Sequence, residues 1–265
     1  MAGSRKNRNS AGNIPNSKTS TSRGSPSGPP RSPVQPARSR TGFYALIAGI
    51  FIVAAIAIAY KLRSAPKPIV IAQGMKLPKA EGYLLGKPDA PVTILEFADF
   101  ECPQCANFSA ITEPDVRTRI VDAGLANLRF YDFPLPDLHP NTLFASLAAS
   151  CAADQGKFWP MHDLLMAGQT DWEGREHKNP KPMFDGYVKK LGIDEAKFNA
   201  CFDSTANISR VEANRQAGLA YQVTGTPSFV IGGKMYPGNM NYDRIKSLVD
   251  AERVKLGIFT RDSSK

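Results

Sequence analysis

The chain has 265 residues, four cysteines and a formal net charge of +9. That length suits one ordinary domain plus accessory segments. The first 67 residues carry eleven Lys or Arg and no acid, which leaves residues 68–265 at −2 and argues against a nucleic-acid-binding domain.

Residues 1–40 are rich in Ser, Pro, Gly, Asn and Arg and hold eight of those basic residues. Such a stretch buries too little apolar surface to offset its ordering entropy and reads as a disordered basic tail. Thr41 to Tyr60 carries no charge. At about 1.5 Å per residue it spans roughly 30 Å, the thickness of a bilayer's hydrocarbon core, and is expected to be a transmembrane helix. Phe43, Tyr44 and Tyr60 suit the two interfaces. Eight basic residues before the span outnumber Lys61, Arg63 and Lys67 after it, so the tail is expected in the cytoplasm and the remainder outside. A basic segment beside a membrane also suits contact with anionic lipid. The competing reading is a cleavable signal peptide with Ala57-Ile58-Ala59 as its small-residue site; the long preceding region and long apolar run favour an uncleaved anchor. A linker over 61–80, with Pro66, Pro68 and Pro78, leads to a domain expected over 81–257 and a short tail over 258–265.

Val92 to Phe97 has strand character and runs directly into Cys102-Pro103-Gln104-Cys105. A Cys-x-x-Cys opening a helix after a strand is a redox signature, because the first sulfur sits where free N–H groups and the positive dipole end stabilise a thiolate. Cys102 is thus the expected nucleophile and Cys105, one turn further in, the shielded resolving thiol. Pro103 fits the first helical position, where its missing N–H costs nothing. A structural zinc half-site is the bland alternative, but it needs a second ligand pair at similar spacing and the sequence offers none. Glu96 lies among Ile94, Leu95 and Phe97 and is drawn towards a core. Beneath the second sulfur it can exchange the proton that Cys105 loses and regains; at a strand edge it would simply face solvent.

Pro103 to Gly124 reads as helix with a break near Pro114, and Leu128 to Phe133 as a second strand. Phe144, Leu147, Ala148 and Cys151 keep helical spacing, as do Phe198, Cys201 and Phe202 in a helix that Asp194 can cap. Phe158, Trp159, Met161, Leu164 and Leu165 look like core. Ser228 to Ile231 and Met235 to Tyr236 form a hairpin around Gly232-Gly233, and Ile245, Leu248 and Val249 mark a closing amphipathic helix. Cys151 and Cys201 fall on apolar faces; in an oxidising compartment they form a structural disulfide, and otherwise two buried thiols. His139, in Leu138-His139-Pro140, reads as a local capping contact, outside the catalytic set. The generic expectation for Pro227 is a trans proline at a strand start.

The acid-bearing strand, the Cys102–Cys105 motif, the stretch Cys151-Ala152-Ala153-Asp154-Gln155-Gly156-Lys157-Phe158-Trp159 and Gly225-Thr226-Pro227 together resemble the DsbA-like thiol:disulfide oxidoreductases of the thioredoxin superfamily, over about residues 80–255. The resemblance implies an α/β thioredoxin-like fold with a helical insertion over about 140–221. It implies that Gly225-Thr226-Pro227 is the cis-proline loop, so that Thr226 and Pro227 bind an extended substrate segment by strand addition. Pro103 and Gln104 would tune the site, Gln104 standing where the family's strongest oxidants carry histidine. The implied partners are extracytoplasmic proteins with cysteines and a membrane quinone-linked reoxidant of the DsbB or VKOR type, with no metal or organic cofactor. A disulfide isomerase or reductant on the same fold, and a membrane-tethered binding or chaperone module, are the alternatives.

Overall fold

A computed structural model describes residues 41–63 and 76–258. The expected tail over 1–40, most of the linker (64–75) and the end of the chain (259–265) lie outside the described residues.

Helix α1, Thr41–Arg63, stands by itself. Its apolar window Gly42–Ala59 is not buried against protein anywhere, with Phe43, Phe51 and Val53 each more than 60% exposed. A helix apolar on every face and about 27 Å long over those 18 residues is long and apolar enough to cross a membrane.

The remaining described residues build a mixed five-stranded sheet of order β1-β3-β2-β4-β5. The strands are β1 Tyr83–Leu85, β2 Thr93–Ala98, β3 Asn127–Asp132, β4 Ser228–Ile231 and β5 Lys234–Pro237. β2 runs parallel to β3 and antiparallel to β4; β1 and β5 add antiparallel edges. β2 and β3 are each displaced by one residue from expectation, β4 has its expected bounds, β5 is one residue longer at each end, and β1 has no counterpart in the sequence reading. Three residues between Gly82 and Gly86 are too few to show an alternating pattern.

β2 lies between two partners and is buried on both faces. Ile94, Glu96 and Ala98 share one face, since side chains alternate along a strand. Ile94 packs there in a cluster with Phe108, Val116, Ile120 and Phe229. Phe97 points the other way, into Tyr131, Phe133, Val223 and Val230. On that side the backbone of helix α8, Ile208–Ala220, comes so close that a Cβ on Gly218 would meet the Phe133 ring at 2.5 Å. Glycine there is a packing requirement.

Helix α2, Pro103–Ile111, stops before Pro114, which cannot donate to the carbonyl four residues back. The chain resumes as α3, Glu113–Val116, and widens into a π turn over Arg117–Val121. The single break expected near Pro114 is therefore a break at Thr112 followed by a change of helical pitch. The insert contains α4 Thr142–Ala153, α5 Phe158–Ala167, α6 Lys181–Leu191, α7 Glu195–Asp203 and α8. α4 is almost wholly buried, and its many Ala and Ser residues let neighbours approach from several sides. α7 begins at Asp194, whose carboxylate accepts from the Lys197 N–H at 3.0 Å, a side-chain cap. Helix α9, Tyr242–Lys255, closes the fold through Ile245 and Val249.

Candidate active site

Cys102 is the N-cap of α2, with extended backbone (φ −76°, ψ 121°) and Pro103 behind it. Its carbonyl accepts from the Cys105 and Ala106 N–H groups at 3.0 and 3.1 Å. The two sulfurs are free thiols, Cys102 7% exposed and Cys105 fully buried. Their environments drive them apart. A hydrogen bond from the Cys105 thiol leads the effects that lower Cys102 to about 5, against the opposing effect of burial; Thr226 and the N–H groups of Cys105 and Gln104 add to it. Cys105 is pushed up, chiefly by burial and then by Cys102 itself.

Thr226 faces Cys102 twice. Its carbonyl accepts from the Cys102 thiol at 3.4 Å, and its buried hydroxyl, which has no other partner, is available to a thiolate. The Thr226–Pro227 peptide is cis, and the Pro227 carbonyl accepts from the Gly238 N–H at 2.8 Å. That contact ties the loop to the end of β5. One residue on, Asn239 donates its side-chain amide to Gln104 Oε1 at 2.8 Å. Asn239 is a residue that sequence reasoning missed: it lies 135 positions from Gln104 and no motif marks it.

Glu96 is 1% exposed on the strand below α2. Burial raises its pKa first and the Glu113 carboxylate second, while Arg117 opposes them. Glu113 is equally buried, and each of the two acids keeps one oxygen without a hydrogen-bond partner. Arg117 donates to Glu113 Oε1 through Nη2 at 2.8 Å and Nε at 3.0 Å, and to Asp163 at 2.6 Å. Glu96 thus belongs to a buried acid pair under one guanidinium. The carboxylate whose charge raises Cys105 is a different one, Asp99.

Asp99 is fully buried immediately after the strand that carries Glu96. His139 does more than cap a local turn: its Nδ1 meets Asp99 Oδ2 at 2.8 Å across 40 residues. Glu101 is held in the same layer by N–H donors from Asn141 at 2.6 Å and Gly174 at 2.5 Å. Gln169 donates to the carbonyls of Phe100 and Cys102 at 2.7 and 3.1 Å, which fixes the entry to α2. Cys151 and Cys201 are bonded to each other, joining α4 to α7 at a separation of 50 residues.

A central sheet with a helical insert, a Cys-x-x-Cys at a helix N-terminus and a facing X-Pro loop define the class of a thioredoxin-like protein. The sequence model of the family described as thioredoxin matches residues 79–251, and the chain belongs to that family. The fold is similar to the crystal structure of alpha-DsbA1 from Wolbachia pipientis, with TM-score 0.58 and 20% identity, covering 68% of this chain and 96% of that one. The sequence is similar to the probable disulfide bond formation protein D of Bacillus anthracis, 28% identical over 172 residues that make up 64% of this chain and 78% of that protein. It is also similar to the Na(+)/H(+) antiporter NhaA 3 of Salinispora tropica, 34% identical over 167 residues, which are 63% of this chain and 24% of the antiporter. The chain spans about a quarter of the length of such antiporter relatives.

Proposed function

We propose that this chain is a membrane-anchored thiol:disulfide oxidoreductase that oxidises cysteine pairs in extracytoplasmic proteins. The observation that carries the reading is the opposite treatment of two thiols three residues apart: Cys102 acidic at a helix N-terminus, Cys105 buried and held protonated. A stabilised Cys102 thiolate is a good leaving group and favours the reduced form of the pair, which makes the disulfide form an oxidant.

In the forward direction a substrate thiolate attacks Cys102 Sγ of the Cys102–Cys105 disulfide. The S–S bond breaks, a mixed disulfide forms, and Cys105 leaves as a thiolate that takes a proton. A second substrate thiolate then attacks the substrate sulfur and releases Cys102 as thiolate. Two electrons pass from the substrate dithiol to the enzyme. Glu96, whose pKa is raised first by burial and second by the Glu113 carboxylate, is the buried acid we assign to exchange of the Cys105 proton. The Thr226 backbone at the mouth of β4 holds an extended substrate segment, Pro227 shapes that mouth, and Pro103 and Gln104 tune the thiolate.

Helix α1 is the anchor, the basic tail stays in the cytoplasm beside anionic lipid, and the catalytic domain works outside, where disulfides persist. A membrane quinone-linked partner of the DsbB or VKOR type takes the electrons onward. The test is equilibration with glutathione, paired with refolding of reduced ribonuclease and reduction of insulin. The reading expects a potential between about −270 and −120 mV, with oxidative refolding. A potential more reducing than about −270 mV, with insulin reduction alone, would reverse the direction of the reaction.

A further inference from the structure

Three donors and the His139 ring converge on the Asp99 carboxyl group. The Glu101 N–H reaches Oδ1 at 2.8 Å, the Thr142 hydroxyl reaches Oδ1 at 2.5 Å, the Leu135 N–H reaches Oδ2 at 2.9 Å, and His139 Nδ1 meets Oδ2 at 2.8 Å. Three fixed donors on these two oxygens favour the acceptor-only carboxylate, for which His139 Nδ1–H is the fitting fourth donor. The same histidine lines a cavity of about 210 Å³ with Glu101 and Pro103, the residues on either side of Cys102, and with Gln169, which also bonds the Cys102 carbonyl. Glu173 and Arg175 line the far side.

We propose that His139 is the electrostatic partner of the Cys102 thiolate, an imidazolium clamped by Asp99 on the wall of the cavity beside the nucleophile. This rests on the thiol–disulfide reading above and names the group that tunes the same site. His139 does not touch the sulfur in the structure, so it is a positioning residue acting through charge. The acids and the thiol that face it agree in sign. Asp99, Cys102 and Glu101, all from the segment between β2 and α2, raise its pKa, with the Asp99 hydrogen bond first and burial opposing. Among the residues lining the cavity Glu173 adds a further acid and Arg175 an opposing cation. Coupling between two charges is reciprocal: the thiolate favours the imidazolium by as much as the imidazolium favours the thiolate.

That reciprocity gives a test on the unmodified protein. The sequence has three histidines, His139, His162 and His177, so NMR of the full-length chain with labelled histidine resolves them, and His139→Gln assigns the signal. The midpoint of His139 should lie higher in the dithiol form than in the disulfide form, by about threefold or more in proton affinity, because only the dithiol form carries the Cys102 charge. In His139→Gln, whose amide still donates to Asp99, the Cys102 thiolate titration should move up by a similar factor. Superimposable His139 curves in the two redox forms would overturn the proposal, whether or not the variant folds. A Cys102 that titrates like free cysteine in the unmodified protein would instead remove the oxidoreductase reading, so the two failures are distinct.

Discussion

The two cysteine pairs put the same element to opposite uses. Cys102 and Cys105 are three positions apart on one helix turn, and what matters there is the field around each sulfur. Cys102 has a helix N-terminus, a hydrogen bond from the Cys105 thiol and the Thr226 loop to stabilise a thiolate; Cys105 is fully buried, with Cys102 and the Asp99 carboxylate adding to the rise in its pKa. Cys151 and Cys201 are 50 positions apart, bonded, and packed among Phe184, Phe198 and Phe202 in the insert. There the bond constrains topology and the field is irrelevant. Redox activity is therefore a property of where a cysteine is placed in the fold, and the number of cysteines says little about it.

The comparison breaks most sharply at the first pair. Cys102→Ser should lower disulfide exchange by roughly a thousandfold or more, since no other thiol in the domain is placed to attack. Cys105→Ser should leave attack intact and accumulate mixed disulfides with substrate, visible on non-reducing gels. Neither change should lower the melting temperature as far as loss of the second pair does. A Cys105→Ser protein that completes turnover without trapped species would contradict the assignment of roles.

Removing the second pair should do the converse. The chain-entropy relation gives about 4 kcal/mol for a loop of this size. The Cys151→Ala, Cys201→Ala double variant should lose about that much in urea unfolding while its Cys102 titration stays in place. A matching shift in the Cys102 titration would show that the insert staple also sets the active-site field.

Much of this architecture is legible in the chain because it is local. The strand before the motif, the proline at the first helical position, the hairpin at Gly232-Gly233 and the closing helix each declare themselves within a dozen residues. What escapes is long-range or very short. β1 is three residues, and it pairs with β3 some 45 positions later. Glu96 shows itself as a buried acid, but its partner Glu113 lies beyond the break at Thr112 and its cation Arg117 in a π turn that no propensity marks. His139 reads as a turn residue because the sequence does not reveal that its chain segment crosses over Asp99. Gln104 reads as a residue that tunes the site, but only the fold brings Asn239 to it.

Stability against pH sharpens the contrast further, because only the first pair titrates. The folded pKa of Cys102, about 5, lies below the value of about 8.5 for an unfolded cysteine. A depressed folded pKa contributes stability that is fully present above the unfolded value and is lost as pH falls through the folded one. With Cys102 and Cys105 reduced and Cys151–Cys201 intact, the Cys102 contribution to stability should rise by on the order of 2 to 3 kcal/mol between about pH 5 and pH 8, against the opposite trend of the buried acids Glu96, Glu101 and Asp132, whose pKa values are raised. Urea unfolding across that range measures it, and Cys102→Ser should flatten that part of the slope. A slope unchanged in Cys102→Ser would assign the pH dependence to other groups.

The smallest expected effect concerns the Asn239 clamp. Its hydrogen bond to Gln104 is exposed, so Asn239→Ala should cost less than about 1 kcal/mol of stability. Exchange rates should change by only a few-fold, through freer motion of Gln104 beside the thiolate. Loss of exchange comparable to Cys102→Ser would mean that Asn239 belongs to the catalytic machinery.

The central claim is that the fold makes Cys102 acidic. Ultraviolet thiolate absorbance of the reduced protein, followed from low to high pH with Cys102→Ser as the blank, measures this directly. The account predicts a single thiolate appearing with a midpoint near 5, with Cys105 titrating far above it. A midpoint at about 8.5 or higher, the range of an unperturbed cysteine, would contradict it.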